Sequence, residues 1–191
     1  MPMIRLARLC SHAKLRRQVG FTLVEVLAAL IIVVLLAAVV LPTVMKRIDD
    51  ANVRREANDL ATFAQAIMTY HDHVGMWPSS LLQLVVAPVA GATNICGNAH
   101  AAKDVARWKG PYVTTEIPAT GIVIDTDTID AALAQIAGTP TVLQITLKNP
   151  TLATDTTIQE LLDSDIVSTT GRIRWTTGPS RLTYNLPITG C

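Results

Sequence analysis

Four groups of side chains in this sequence have types and spacings that could do chemistry. They are a carboxylate inside an apolar run, two imidazoles around a carboxylate, three closely spaced aspartates and two distant thiols. Glu25 is the sole charge between Phe21 and Leu41. A carboxylate costs about 2.5 to 3.5 kcal/mol at the middle of a membrane helix and less near its end. Glu25 therefore either snorkels to the interface or pairs with a positive charge that another chain presents at the same depth. Such a charge requires that the chain be cut to expose an amine nearby. The string His71-Asp72-His73 invites a metal reading. Side chains at i and i+2 do not share a helix face, and no distant ligand cluster completes a site, so it reads as the polar, solvated end of a helix before an aromatic anchor. Asp125, Asp127 and Asp130 suggest a calcium loop. The glycine turn and the closing bidentate glutamate are missing, so these residues read as a strand end and a helix cap. No Gly-x-Ser-x-Gly, phosphate loop or paired zinc ligands occur, and the expectation is a chain that is not an enzyme and takes no metal or cofactor.

The elements that must position these residues follow from charge and hydropathy. Of 191 residues, 50% are hydrophobic and only 16% charged, below the roughly 25% charged of an average soluble domain. The length suits one compact domain with an appended element and excludes a multidomain enzyme. Arg5, Arg8, Lys14, Arg16 and Arg17 precede the first acid, Glu25, and from residue 21 onward 11 basic residues face 15 acidic ones. Basic residues so concentrated at one end do not suggest a nucleic-acid-binding domain. Val26 to Leu41 is an unbroken apolar run of sixteen residues. As a helix, the stretch from Phe21 to Leu41 spans roughly 31 Å, the thickness of a bilayer core. The basic flank keeps the N-terminus cytoplasmic and sends the remainder across. An ordinary signal peptide is the alternative, but its apolar core is shorter and carries no carboxylate.

Gly20-Phe21-Thr22-Leu23-Val24-Glu25, after a basic leader and before a long apolar helix, resembles the prepilin peptidase site of type IV pilins and type II secretion pseudopilins. The resemblance implies removal of residues 1–20 after Gly20 and N-methylation of the new terminal Phe21. It also implies an assembly role for Glu25, the fifth mature residue, and a helix-bending role for Pro42. The implied partners are a prepilin peptidase/N-methyltransferase, other pilin or pseudopilin subunits, an inner-membrane assembly platform and the membrane. The implied function is that of a structural subunit of a pilus-like or secretion pseudopilus filament. Its place is the inner membrane, with the C-terminal domain periplasmic or extracellular. Cutting after Gly20 leaves an ammonium on Phe21, which an incoming subunit can present to a neighbour's Glu25. In a dry filament core such a pair acts as a register device.

Beyond Pro42, Val53, Ala57, Leu60, Ala64 and Ile67 recur at intervals of three and four between charged residues, which predicts an amphipathic continuation over residues 42–75. Pro42 kinks rather than ends this helix, which should run from about Phe21 to about Tyr70 and stop at Gly75 and Pro78. The stretch from Tyr70 through Pro78 and the string Trp108-Lys109-Gly110-Pro111-Tyr112 are again similar to pilin-like turns, and physically each is a turn carrying core aromatics. Residues 76–191 should form the globular part. Candidate strands are Gly121 to Asp125, Thr141 to Lys148, Arg172 to Thr177 and Arg181 to Leu186, the last two joined through Gly178-Pro179-Ser180. Asp127 or Thr128 should cap a short helix through Ala137, and Thr156 another through Leu162. The fold class is α+β: a long bent N-terminal helix with a small antiparallel sheet packed on its C-terminal half.

Cys10 lies in the leader, whereas Cys96 and Cys191 would both be exported. An even pair in an oxidising space reads as a disulfide, with a free buried thiol as the alternative, and many type IV pilins tie their C-terminal segment in this way. Three function classes follow: filament subunit, membrane-anchored periplasmic binding domain that does not polymerise, and secreted enzyme with an uncleaved anchor. The N-terminal mass of the exported protein separates them.

Overall fold

The computed structural model describes residues 20–124, 127–138, 140–163, 171–177 and 180–191. The basic leader with Cys10, Asp125 and the Gly178-Pro179 pair lie outside the described residues. The chain divides into two units, Met1–Met45 and Lys46–Cys191.

Helix α1 runs Leu23–Val74 with Pro42 inside it. Its leading half is rich in Leu and Ala, which lose little side-chain freedom in a helix. It ends where Gly75 takes φ +79° and returns its N–H to the His71 carbonyl at 2.7 Å. A residue without Cβ enters that left-handed conformation at no steric cost. The helix runs four residues beyond Tyr70, to Val74, and stops at Gly75. Every residue from 20 to 51 is exposed, and the described part of α1 is long and apolar enough to cross a membrane.

In the second unit the predicted stripe is buried. Ala57, Leu60, Ala64 and Ile67 lie in the core, joined by Phe63, Ala66, Tyr70 and Val74. They pack against a six-stranded antiparallel sheet made of β1 (Ile122–Ile124), β2 (Asp127–Ile129), β3 (Ala134–Ile136), β4 (Thr141–Lys148), β5 (Ile173–Thr177) and β6 (Ser180–Ile188). The order is β1-β2-β4-β6-β5. β4 is paired along its whole length with β6, from Thr141↔Ile188 to Lys148↔Arg181. β2 and β3 share the other edge of β4, at Lys148 and Leu147 and at Gln144 to Val142 respectively. Alternation decides the faces. Leu143, Ile145 and Leu147 turn into the core with Ile173, Leu182, Tyr184 and Leu186. On the opposite face the Gln144 amide donates to Asn185 Oδ1 at 2.7 Å.

Two expectations are corrected. Residues 127–137 form β2 and β3, not a helix capped by Asp127 or Thr128. Asp127, Ile129, Ala131 and Leu133 are buried at every second position, so the chain follows a period of two despite its alanine content. Helix α2 is the single short turn Ala102–Val105, and helix α3 spans Leu152–Asp163 and starts before Thr156, which is inside it. Thr151 caps it, its Oγ1 accepting the Thr154 N–H at 3.2 Å. The far end of α3 braces β5, where Asp163 Oδ2 accepts the Ile173 N–H at 2.6 Å and Gln159 Oε1 accepts the Trp175 indole N–H at 3.0 Å.

Candidate functional site

The first site is the entry to α1. Thr22 caps the helix: its carbonyl accepts the Glu25 and Val26 N–H groups at 3.1 and 3.2 Å, and its Oγ1 lies 3.3 Å from the Glu25 nitrogen. Thr-x-x-Glu before an apolar run is a helix-start signature. From sequence Glu25 is a snorkelling or a pairing carboxylate, and the Thr22 cap is legible only through this spacing. Glu25 sits in the first turn, where the positive end of the helix dipole favours a carboxylate. Phe21 is 81% exposed, and a Cβ added at Gly20 would meet nothing within 4 Å. The bond between Gly20 and Phe21 is therefore open to a protein that grips it, and nothing inside the described chain demands glycine there. Pro42 has no N–H to offer the carbonyl four residues back, and α1 continues through it.

The second site is an aromatic knot at the other end of α1, within the globular unit. His71 and His73, two residues apart, go to different partners. His71 stacks on Trp77 with ring centroids 3.8 Å apart, whereas His73 Nδ1 lies 3.2 Å from the Tyr112 hydroxyl. Tyr112 also accepts the Lys109 N–H at 3.0 Å, and its ring stands edge-on to Tyr70 and Trp108. Trp108 donates its indole N–H to the Gln83 carbonyl at 3.0 Å. A Cβ on Gly110 would overlap the Trp108 ring, so glycine here lets the tryptophan fold over the Gly110-Pro111 turn. Burial raises the Tyr70 hydroxyl well above its ordinary pKa.

The tail is held to this knot twice. Cys96 and Cys191 form a disulfide with Cα atoms 5.1 Å apart, and the Trp77 indole N–H donates to the Thr189 carbonyl at 2.9 Å. The pairing of thiols was readable from compartment and count. The indole tie was not, because nothing in the sequence links residues 112 positions apart.

Of the three aspartates, Asp127 and Asp130 lie among the described residues and Asp125 does not. Asp130 pairs with Lys148 at 2.6 Å and Asp127 is buried in β2. Among the described residues no group of three His, Cys, Asp or Glu side chains is placed to hold a metal ion. Asp127 does bear on Asp155 in the first turn of α3. Burial, with the Asp127 charge added, pushes the Asp155 carboxyl up to about 6. Sequence reasoning missed Asp155, since only the fold brings β2 to that helix.

Comparison with known proteins agrees with the N-terminal geometry. Residues 15–41 match the family described as the prokaryotic N-terminal methylation motif. The chain is 38% identical over 65 residues to the type II secretion system core protein G of Pseudomonas aeruginosa, a stretch covering 34% of this chain and 46% of that protein. The match thus spans less than half the length of that relative. No solved structure matches. The chain carries a prepilin-type N-terminal motif and in its matched segment is similar to a type II secretion pseudopilin.

Proposed function

We propose that this protein is a structural, non-catalytic subunit of a pilus-like or type II secretion pseudopilus filament. The observation that carries the reading is the match over residues 15–41, a stretch that contains Gly20, Phe21 and Glu25 at the capped start of an exposed apolar helix. On this reading residues 1–20 are a leader cut off by a prepilin peptidase, and Phe21 is N-methylated. Residues 21–41 anchor the subunit in the inner membrane and then form the filament core, 42–75 continue that helix, and 76–191 are displayed on the periplasmic or extracellular side. The Phe21 amine of an incoming subunit neutralises a neighbour's Glu25, which would otherwise be a lone charge away from water. Pro42 lets α1 bend during packing, because its ring removes one backbone hydrogen bond. Other subunits of the same kind and an inner-membrane assembly platform complete the set of partners.

The test is the intact mass of the protein from washed membranes and sheared fibres. A chain beginning at methylated Phe21 is the expected result. A chain retaining Met1 would make it an anchored domain that does not polymerise, and one starting after Leu41 would make it a secreted protein.

A further inference from the structure

We propose that the outer face of the sheet carries a binding site for a monocarboxylate with an apolar body, built from Asn185, Arg174 and the apolar side chains around them. A cavity of about 540 Å³ opens there, a size within the range of small-molecule sites. Strand register explains how it forms. Val142 of β4 pairs with Pro187 of β6, Gln144 with Asn185, and Ile136 of β3 with Val142, so these residues share the face turned away from the core. Arg174 of β5 stands opposite Thr183, on that same face. Arg172 and Asp163, the last residue of α3, also line the cavity.

Asn185 is the anchor. It is only 4% exposed, its Oδ1 is taken by the Gln144 amide at 2.7 Å, and its Nδ2 meets no acceptor among the described residues. A buried donor without a partner is costly, and native folds keep few of them. A ligand oxygen entering the cavity satisfies it. Arg174 supplies the charge. It is exposed and forms no ion pair among the described residues, whereas Arg172 already serves the Tyr184 hydroxyl and faces Asp163. Two guanidiniums against the Asp163 carboxylate leave a single net positive charge on the lining, a balance that suits one carboxylate better than a phosphate dianion. One carboxylate oxygen takes the Asn185 N–H and the other the Arg174 guanidinium, a charge-assisted bond. Ile136, Pro140, Val142 and Pro187 line the cavity beside them and favour an apolar body such as a leucine side chain. The free end of a peptide chain and a small acylated amino acid both present this chemistry.

The experiment titrates the isotope-labelled full-length protein in detergent micelles and follows the side-chain amide signals of Asn185 by NMR. The probes are N-acetyl-leucine, its neutral amide, and an acetylated Gly-Gly-Leu peptide with a free carboxyl end. A saturable shift with N-acetyl-leucine is expected, and binding about tenfold weaker with the amide. The peptide separates the two sources: tighter binding than N-acetyl-leucine assigns the site to chain ends, and equal or weaker binding assigns it to the small acid. Arg174→Gln should weaken the acid about tenfold and leave the amide unchanged, and Arg174→Lys, which keeps the charge but loses the planar fork, should recover part of the loss. Arg174 is exposed, so both variants should fold, and unchanged signals from the core check that they do. Equal shifts with acid and amide, wild-type affinity in Arg174→Gln, or no saturable shift at all would overturn the site. None of these outcomes bears on cleavage after Gly20, so the filament reading stands or falls separately.

Discussion

Replacing Glu25 by alanine removes a charge from an apolar segment without shortening it. Membrane insertion of Glu25→Ala should therefore equal wild type, while incorporation into fibres falls at least tenfold. Carbonate extraction and fibre shearing read the two steps separately, and wild-type incorporation would leave Glu25 as a snorkelling side chain. A bulky residue at Gly20 meets no obstacle within the described chain. Gly20→Phe should accordingly fold normally yet accumulate as uncut precursor on a gel. Asp155 supplies a pH signature. Its ordinary pKa of 3.8 is raised to about 6, so the native state holds the proton more tightly than the unfolded chain. The resulting stabilisation is complete below pH 3.8 and is lost as pH rises through about 6. Asp155→Asn, always neutral, should be more stable than wild type at pH 8, with the difference in Tm shrinking toward acid. His100 works in the opposite sense, since burial lowers its pKa below 6.5 and its contribution is lost as pH falls. Comparing Asp155→Asn with wild type at each pH cancels that term. Glu25 announced itself because it stands immediately before sixteen unbroken apolar residues, whereas Asp155 sits in a threonine-rich stretch and acquires its character only from β2.

Elements built on strong periodicity were legible. The face from Ala57 to Ile67 and the span of β4 came out as expected, because their repeats of 3.6 and 2 leave one way to bury them. The segment from Asp127 to Ala137 misled for a physical reason: its alanines favour a helix by a few tenths of a kcal/mol each, at about the level that burial of Ile129 and Leu133 on a sheet outweighs. The start of α3 was expected at Thr156 and lies earlier, at Leu152, because the Thr151 hydroxyl already meets the Thr154 N–H and threonine spacing alone does not say which hydroxyl does so. The Trp108 to Tyr112 turn was recognisable, but its dependence on Gly110 was not. Gly110→Ala should displace the Trp108 ring, break its bond to the Gln83 carbonyl and cost about 2 kcal/mol. Urea unfolding followed by tryptophan fluorescence would register both the lower midpoint and the altered environment, and an unchanged midpoint would show that the turn yields freely.

At the scale of the whole molecule, the sheet order could not be read from sequence, because strand propensity does not say which strands become neighbours. The tail's attachment could, in part. Loss of the Cys96–Cys191 bond in Cys191→Ser should lower stability by about 2 to 5 kcal/mol and open the C-terminal region to proteolysis, with cleavage after Gly20 unaffected. Trp77→Phe keeps the stacked ring and removes the bond to Thr189, for a cost of about 1 kcal/mol. The position of β6 has a consequence in time. It follows every other described strand in the chain, yet it lies between β4 and β5, and β5 pairs with no other strand among the described residues. The sheet therefore cannot close while residues 180–188 are still inside the ribosome or the translocation channel. Until then the exposed half of the sheet remains a substrate for chaperones and proteases, and on the proposed filament reading the chain would cross the membrane without having to unfold a finished domain. A nascent chain arrested just before Ser180 should be digested rapidly, and one released after Cys191 should resist.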